Sequence, residues 1–343
     1  MTKRFTTETF RIFRVVAAYW VVSISLVFIN KWLLRQSTDT PDAPLFVTCF
    51  QCATTALLCY VAMLVSQKMP DRVSFPRLDY SFKTAVDVLP LSIVFVLMVS
   101  FNNLCLKHLN VSFYYLARSL TTVFNVIFTY FILKTRTSQN ALICCTVIVS
   151  GYGYGVNIEG SLGSLSLLGA VFGISSSITC ALNSIFTARS LPLVDGSVWR
   201  LTFYNNVNAV ILFTPYILLV ESGNLVGSFW FSHRFWSMMI LSGVFGFAIG
   251  YVSTLQIQVT SPLTHNVCGT AKAAAQTVLA VIIYSEIKTF SWWMSNIVVL
   301  LGSAAYTYVR HRELNSNFEA NKEDQNASSE VAYTLPGSKT TIV

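Results

Sequence analysis

Apolar residues fill this chain in long runs that short polar segments separate. A run of about 20 apolar residues is long enough for a helix to cross a bilayer, and such runs recur along nearly the whole length. The pattern predicts an all-α integral membrane protein with ten transmembrane helices, at residues 14–34, 44–66, 84–105, 112–133, 139–157, 165–188, 198–220, 236–257, 262–284 and 289–309.

Composition leaves little of the chain for a soluble domain. Hydrophobic residues make up 54% of the 343 residues and charged residues only 11%, whereas a soluble domain has about 25% charged residues. The longest polar segment is residues 310–343. Its composition is typical of a disordered tail, and we expect it in the cytosol.

The basic residues lie mostly on one side of the predicted membrane. With both termini in the cytosol, only four of the 23 Lys and Arg residues face the lumen: Arg35, Lys107, Arg234 and Lys288. Cytosolic loops of membrane proteins carry an excess of basic residues, so the bias favours this orientation, with residues 1–13 as a cytosolic N-terminus. The net charge of +8 therefore needs no nucleic-acid partner.

The charges inside the spans suggest an internal repeat. Arg118 and Lys272 are each the only charge in the fourth span of a half, and Lys134 and Lys288 follow at the same spacing. Five helices is an odd number, so the second half enters the membrane in the opposite sense. We therefore predict two inverted five-helix repeats, 14–157 and 165–309, joined by a lumenal link at 158–164. Secondary transporters with such repeats place their substrate site between the halves.

The two intramembrane cations predict a site for a phosphorylated solute. A basic side chain in hydrocarbon costs about 2.5–3.5 kcal/mol on insertion scales, and such residues usually serve function. Arginine offers a forked donor to phosphate and lysine a point charge. The alternative is an internal ion pair, but the spans offer few acids, namely Asp87 and, at the end of the seventh, Glu221.

Polar neighbours at helical spacing extend this predicted site. They lie around Arg118 at Tyr114, Thr122 and Asn125, and around Lys272 at Gly269 and Gln276. The seventh span adds Tyr204, Asn205, Asn206 and Asn208. Asparagine suits the edge of a nucleobase and tyrosine its face. Hydrogen bonding between helices explains the asparagines equally well from the residues alone.

Other features of the sequence predict packing rather than chemistry. All eight cysteines lie in spans, so we expect no disulfide framework. Glycines four apart occur at Gly151/Gly155, Gly169/Gly173 and Gly246/Gly250. They allow close helix contact within the chain and leave a homodimer open. An integral-membrane transferase, the alternative from another class, would want acids or histidines at a membrane–water face, where few occur.

Several stretches resemble nucleotide-sugar transporters of the drug/metabolite transporter superfamily, from Phe13 to Val309. The segment at residues 203–206 is similar to the guanine-recognition motif of GDP-sugar carriers. The lysine motif of GDP-mannose carriers, Gly-Ala-Leu-Asn-Lys, is replaced at 268–272, where only the lysine is kept. Longer stretches at 118–125, 199–208 and 261–267 are similar to the GDP-fucose carriers of the Golgi.

The resemblance implies an antiporter rather than an enzyme, without catalytic residues, metal or cofactor. GDP-fucose would enter the Golgi lumen in exchange for GMP, by alternating access; the endoplasmic reticulum stays open as the compartment. Lys272 and Arg118 would bind the phosphates, and Tyr204, Asn205 and Asn206 the guanine. Gly269, Thr270 and Gln276 would lie toward the sugar. Another nucleotide sugar, GDP-mannose or a UDP-sugar, or a sugar phosphate remains the alternative substrate.

Overall fold

The protein is all-helical in the residues that the structure describes. This computed structural model describes residues 2–34, 41–70, 75–109, 111–134, 138–161, 166–259, 262–309 and 312–313. Its helices are α1 (Thr2–Leu33), α2 (Pro44–Lys68), α3 (Phe82–His108), α4 (Val111–Arg118), α5 (Leu120–Leu133), α6 (Gln139–Ser161), α7 (Leu167–Ser190), α8 (Val198–Val220), α9 (His233–Val259), α10 (Pro262–Ile283) and α11 (residues 290–309).

Eight segments of the described chain are long and apolar enough to cross a membrane. They correspond to α1, α2, α3, α4 with α5, α6, α7, α8 and α9, so the chain is a multi-pass membrane protein, as predicted. The two remaining predicted spans coincide with α10 and α11, and the total of ten stays a prediction. Most of the predicted tail, 314–343, and part of the predicted link, 162–164, lie outside the described residues.

The fourth predicted span is not one continuous helix. It breaks at Ser119, between α4 and α5. The Ser119 hydroxyl donates to the carbonyl of Leu116 at 2.6 Å, and the Ser119 N–H donates to the same oxygen at 3.3 Å. Both bonds reach back three residues instead of four, which tightens the turn and interrupts the α-helical ladder. Arg118 therefore lies at the end of a short helix.

The most extensive helix contacts join a helix of the first half of the chain with a helix of the second half. α3 packs along α7, and α1 packs along α9. α3 also contacts α8, while α2 contacts both α9 and α8. α4 and α5 contact α7, whereas α10 contacts α1 and α4. The two halves of the sequence therefore pack against each other through several helices.

Glycine allows several of these helices to approach closely. A Cβ on Gly151 would lie 2.7 Å from Val299, and one on Gly155 would lie 2.6 Å from the Ser295 hydroxyl. A Cβ on Gly173 would similarly meet that of Ala117 at 2.9 Å. These glycines serve packing within the chain, as expected. The predicted pair Gly246/Gly250 makes no such close approach among the described residues, because a Cβ on Gly246 would lie 3.6 Å from Thr55 and one on Gly250 would meet nothing within 4 Å.

Polar side chains close one end of the bundle. Lys31, at the end of α1, donates to the carbonyls of Leu106 at 2.5 Å and Leu109 at 2.7 Å. Those carbonyls belong to the C-terminus of α3, where helix carbonyls lack intrahelical partners. Lys107 forms an ion pair with Asp42 beside them. We call this end, marked by Lys31, Lys107 and Asp42, the closed end.

A carboxylate from α8 caps α2 at the closed end. α2 has no side-chain cap of its own at Ala43. Instead, Glu221 accepts the N–H groups of Leu45 and Phe46, both at 2.9 Å, and only 4% of the residue is exposed. Burial raises the pKa of the Glu221 carboxyl, and the two backbone hydrogen bonds oppose that rise. The carboxylate is favourably placed because a helix N-terminus attracts negative charge.

Candidate substrate cavity

A cavity of about 910 Å³ opens between α1, α4, α5, α7, α9, α10 and α11. It reaches residues near the C-termini of α5, α7 and α11, at the end of the bundle opposite the closed end. Its polar lining comes from Tyr19, Ser23, Tyr115, Arg118, Ser119, Thr122, Asn125, Thr129, Ser184, Ser253, Lys272, Gln276, Thr277, Asn296, Ser303, Tyr306 and Thr307. The volume falls within the range of small-molecule sites, about 300–1,000 Å³.

Arg118 and Lys272 line the same cavity. Arg118 is exposed there, although its guanidinium donates to the hydroxyl of Tyr114 at 3.0 Å. The ammonium of Lys272 donates to the hydroxyls of Tyr19 at 3.1 Å and Ser23 at 2.5 Å. It also lies 4.6 Å from the centre of the Tyr19 ring. Hydroxyls and an aromatic face thus surround both cations.

Neither cation forms an ion pair with a carboxylate in the described part of the chain, where the ion pairs join other residues. Glu221, one of the acids considered as an internal partner, caps α2 instead. Two positive charges therefore face a common space, and the described residues supply no negative charge to balance them. An anion is the ligand that such a site would attract.

Four further predicted residues line the cavity, namely Thr122, Asn125, Gly269 and Gln276. Asn125 accepts a hydrogen bond from Ser184 of α7 at 3.0 Å. Gln276 is buried against α1, and its amide donates to the Ser23 carbonyl at 3.5 Å. The side chain of Thr270 is outside what the structure describes.

The predicted nucleobase residues of α8 lie away from the cavity, at the contact with α3. The Tyr204 hydroxyl donates to the carbonyl of Asp79 at 2.6 Å and accepts the N–H of Ser81 at 2.9 Å. Asn208 donates to the carbonyl of Ala85 at 2.8 Å and to Ser92. These bonds connect α8 with the start of α3. The structure therefore does not bring this group together with Arg118 and Lys272.

The two other asparagines of that group are also buried. Asn206 donates to the carbonyl of Thr202, four residues earlier in the same helix, at 2.8 Å. The side-chain carbonyl of Asn205 has no hydrogen-bond partner among the described residues. An unpaired buried carbonyl costs about 1–3 kcal/mol, and the Asn205 carbonyl is available to accept a hydrogen bond.

A family model describes nearly the whole chain. The description is "Triose-phosphate Transporter family", and it matches residues 10–307. The chain belongs to this transporter family. It is therefore a membrane carrier and not an enzyme.

Relatives within this transporter family align along most of the chain. The mouse protein named "GDP-fucose transporter 1" is 53% identical over 321 residues, which are 92% of this chain and 88% of the mouse protein. The Caenorhabditis elegans "GDP-fucose transporter" is 53% identical over 301 residues, covering 87% of this chain and 82% of its own. The Drosophila melanogaster "GDP-fucose transporter, Golgi" is 45% identical over 316 residues, covering 91% and 93%.

A solved crystal structure shares the fold of this transporter. It aligns with a TM-score of 0.56 at 13% sequence identity and covers 90% of this chain and 98% of the other. At that identity the match concerns architecture alone.

The sequence interpretation missed the residues of α1 that hold Lys272. Tyr19 and Ser23 lie four residues apart, so they share one face of α1. Both are polar positions in the otherwise apolar stretch 15–24, and that pattern was the available signal. The polar positions of α11, such as Asn296 and Ser303, carry a similar signal because they also line the cavity.

Proposed function

We propose that this transporter is an antiporter that carries GDP-fucose into the Golgi lumen in exchange for GMP. The observation that carries the proposal is the cavity with Arg118 and Lys272, which have no carboxylate partner in the described residues. Each phosphate of a nucleotide sugar carries negative charge, so a diphosphate matches the two cations. The sugar and base come from the relatives named GDP-fucose transporter.

Exchange of GDP-fucose for GMP is expected from the positive charges of Arg118 and Lys272. A carrier that reorients without its anion would move two uncompensated cations through the membrane interior, which is costly. The phosphate of GMP carries about −1.5 to −2 charge at neutral pH, as a phosphate monoester does elsewhere. GMP therefore neutralises the site as GDP-fucose does. A carrier of this kind returns fastest with an anion bound, so it exchanges one nucleotide for another.

Alternating access is supported by the way the helices pair. Arg118 lies on α4 in the first half of the chain, while Lys272 lies on α10 in the second half and is held by Tyr19 and Ser23 of α1. A diphosphate between the cations would connect α4 with α10 and so couple substrate binding to the relative motion of the helices that carry them. The matching pairs α3–α7 and α1–α9 also support two inverted five-helix repeats and ten spans.

The orientation comes from the basic residues. The closed end contains Lys107 and Asp42, on the side where the sequence has few basic residues, and we propose that it faces the lumen. The cavity then opens to the cytosol, where both termini lie. The Drosophila relative, named as a Golgi protein, supports the compartment.

We also propose that guanine binds to Tyr204, Asn205 and Asn206. It requires α8 to separate from α3, because the Tyr204 hydroxyl and the Asn208 amide bond to α3 or the segment before it. The unpaired carbonyl of Asn205 supports a role in binding, since an acceptor suits the N–H groups of guanine. Gly269, Thr270 and Gln276 of α10 are proposed to lie toward the sugar.

We expect Asn205→Ala to reduce the preference for guanine over uridine nucleotides by about tenfold, because one lost hydrogen bond to a charged or polar ligand is worth about 1.5 kcal/mol. The measurement is inhibition of GDP-fucose uptake by GMP and by UMP. Asn103→Ala serves as the comparison, since Asn103 is also a buried asparagine of a membrane helix but its amide bonds to Thr48 and it has no proposed contact with the base. An unchanged ratio of GMP to UMP inhibition in a folded Asn205→Ala protein would contradict the assignment.

Counterflow in proteoliposomes tests the function as a whole. Vesicles loaded with GMP should take up GDP-fucose faster than GDP-mannose, and vesicles loaded with UMP should take up neither quickly. Unloaded vesicles should show little uptake, because return of the empty carrier is slow. Faster uptake of GDP-mannose or of a UDP-sugar would replace the substrate, and uptake independent of internal nucleotide would remove the exchange mechanism.

A further inference from the structure

We infer that Asn102 of α3 is a positioning residue that aims Arg118 into the cavity through Tyr114. This inference rests on the proposed role of Arg118 as a phosphate-binding group. Asn102 does not line the cavity. It lies behind Tyr114, whose hydroxyl is the hydrogen-bond partner of the Arg118 guanidinium. Hydrogen bonds link Asn102 to Tyr114 and Tyr114 to Arg118, and this hydrogen-bond chain ends at the cavity.

The direction of the hydrogen bonds in this chain is fixed by arginine. A guanidinium has donors and no acceptor, so Arg118 donates to the Tyr114 oxygen, at 3.0 Å. The Tyr114 hydroxyl proton must then point elsewhere, and the side-chain carbonyl of Asn102 accepts it at 3.2 Å. Each bond polarises the next, which strengthens the chain. Without the Asn102 acceptor, the Tyr114 hydroxyl loses the partner that orients it toward Arg118.

A second helix holds the Asn102 side chain in place. The Ser176 hydroxyl of α7 donates to the same Asn102 carbonyl at 2.7 Å, and the amide nitrogen of Asn102 lies 3.7 Å from the sulfur of Cys180, also on α7. Tyr114 is 5% exposed and Ser176 is 1% exposed. Buried hydrogen bonds of this kind are retained because losing one partner leaves the other unpaired in a low dielectric.

The hydrogen-bond chain matters because the α-helix is interrupted next to Arg118. Arg118 ends the eight-residue helix α4, next to the break at Ser119. A long side chain on a short helix would otherwise keep much of its rotamer freedom and lose it on binding the anion. The bonds to α3 and α7 fix the guanidinium before substrate arrives. The neighbouring Asn103 offers a contrast, since its amide donates to Thr48 of α2 at 2.5 Å.

The test measures nucleotide exchange in Asn102→Leu, Tyr114→Phe and the double variant, with Asn103→Leu as the matched control. Asn102→Leu should raise the KM for GDP-fucose about tenfold and leave the maximum exchange rate within about twofold. Tyr114→Phe should do the same, and the double variant should be no worse than either single change. Asn103→Leu, which loses a buried bond outside this chain, should keep the wild-type KM.

The inference would be overturned if the two single effects on KM multiplied in the double variant. It would also be overturned if a folded Asn102→Leu protein kept the wild-type KM. Should Asn102→Leu fail to fold, Ser176→Ala decides. It should raise KM about threefold in the wild-type background and leave KM unchanged in Tyr114→Phe. Equal effects of Ser176→Ala on KM in both backgrounds would show that the hydrogen-bond chain does not position Arg118.

Pyrophosphate separates this inference from the proposed substrate, because it contains neither sugar nor base. We expect it to raise the thermal unfolding midpoint of the purified wild-type protein and of Asn103→Leu, and to do so at about tenfold higher concentration in Asn102→Leu. Wild-type protein that responds to pyrophosphate without exchanging GDP-fucose would reject the proposed substrate and leave the positioning role standing. The same pyrophosphate response in Asn102→Leu and wild type would reject the positioning role.

Discussion

Replacement of Lys272 by alanine should abolish GDP-fucose/GMP exchange in a protein that still folds. Alanine removes one of the two cations of the cavity and leaves Tyr19 and Ser23 without the ammonium that they hold. Loss of one partner of a buried charge contact costs about 3–5 kcal/mol, so nucleotide affinity should fall about a hundredfold or more. The measurement is counterflow with labelled GDP-fucose into vesicles loaded with GMP.

The control for Lys272→Ala is Arg234→Ala. Arg234 is also a cation near an aromatic ring, 5.2 Å from the centre of Trp32, but it lies outside the cavity. It should keep exchange within about twofold of wild type, which separates loss of any cation–aromatic contact from loss of the phosphate site. Normal exchange in Lys272→Ala would show that this ammonium does not meet the substrate.

Replacement of Arg118 by glutamine should also reduce exchange to background, because it removes the positive charge and keeps a polar side chain beside Tyr114. Arg118→Lys should recover part of the activity, at about a tenth of the wild-type rate. Lysine restores the charge but not the planar fork that binds phosphate with two parallel hydrogen bonds. Initial rates over a range of GDP-fucose concentrations would separate affinity from turnover.

Arg189→Gln is the matched control for Arg118→Gln. Arg189 is exposed near the end of α7 and donates to the carbonyl of Ile132. It should exchange within about twofold of wild type. Equal losses in Arg118→Gln and Arg189→Gln would point to a general effect of surface charge. Full activity in Arg118→Lys would mean that charge alone, without the fork, is enough.

The sequence predicted the cations because charges in hydrocarbon are rare and costly. Arg118 and Lys272 stand alone in apolar runs, and the structure places both in one cavity. The sequence also predicted the membrane class and the positions of most helices. It could not predict the break at Ser119, because no proline or glycine marks it and the interruption comes from a hydroxyl bonded to its own backbone.

Polar faces on helices were visible in the sequence, but their partners were not. Asn125 and Asn208 are both asparagines in apolar helices, yet one lines the cavity and the other bonds to α3. Periodicity gives the face of a helix and leaves open which neighbour it meets. Tyr19 and Ser23 were missed for the same reason, since two hydroxyls on α1 gain meaning only when α10 brings Lys272 against them.

At the closed end, two helix termini are capped by side chains from distant parts of the sequence. Lys31 covers carbonyls at the C-terminus of α3, and Glu221 covers amides at the N-terminus of α2. Water can satisfy such groups when a terminus becomes exposed, so each of these bonds to a charged side chain contributes about 1.5–3 kcal/mol net. Wetting of this end would replace a few such bonds with hydrogen bonds to water, at a total cost of about a few kcal/mol, which is small enough for a seal that opens and closes in the proposed alternating-access cycle.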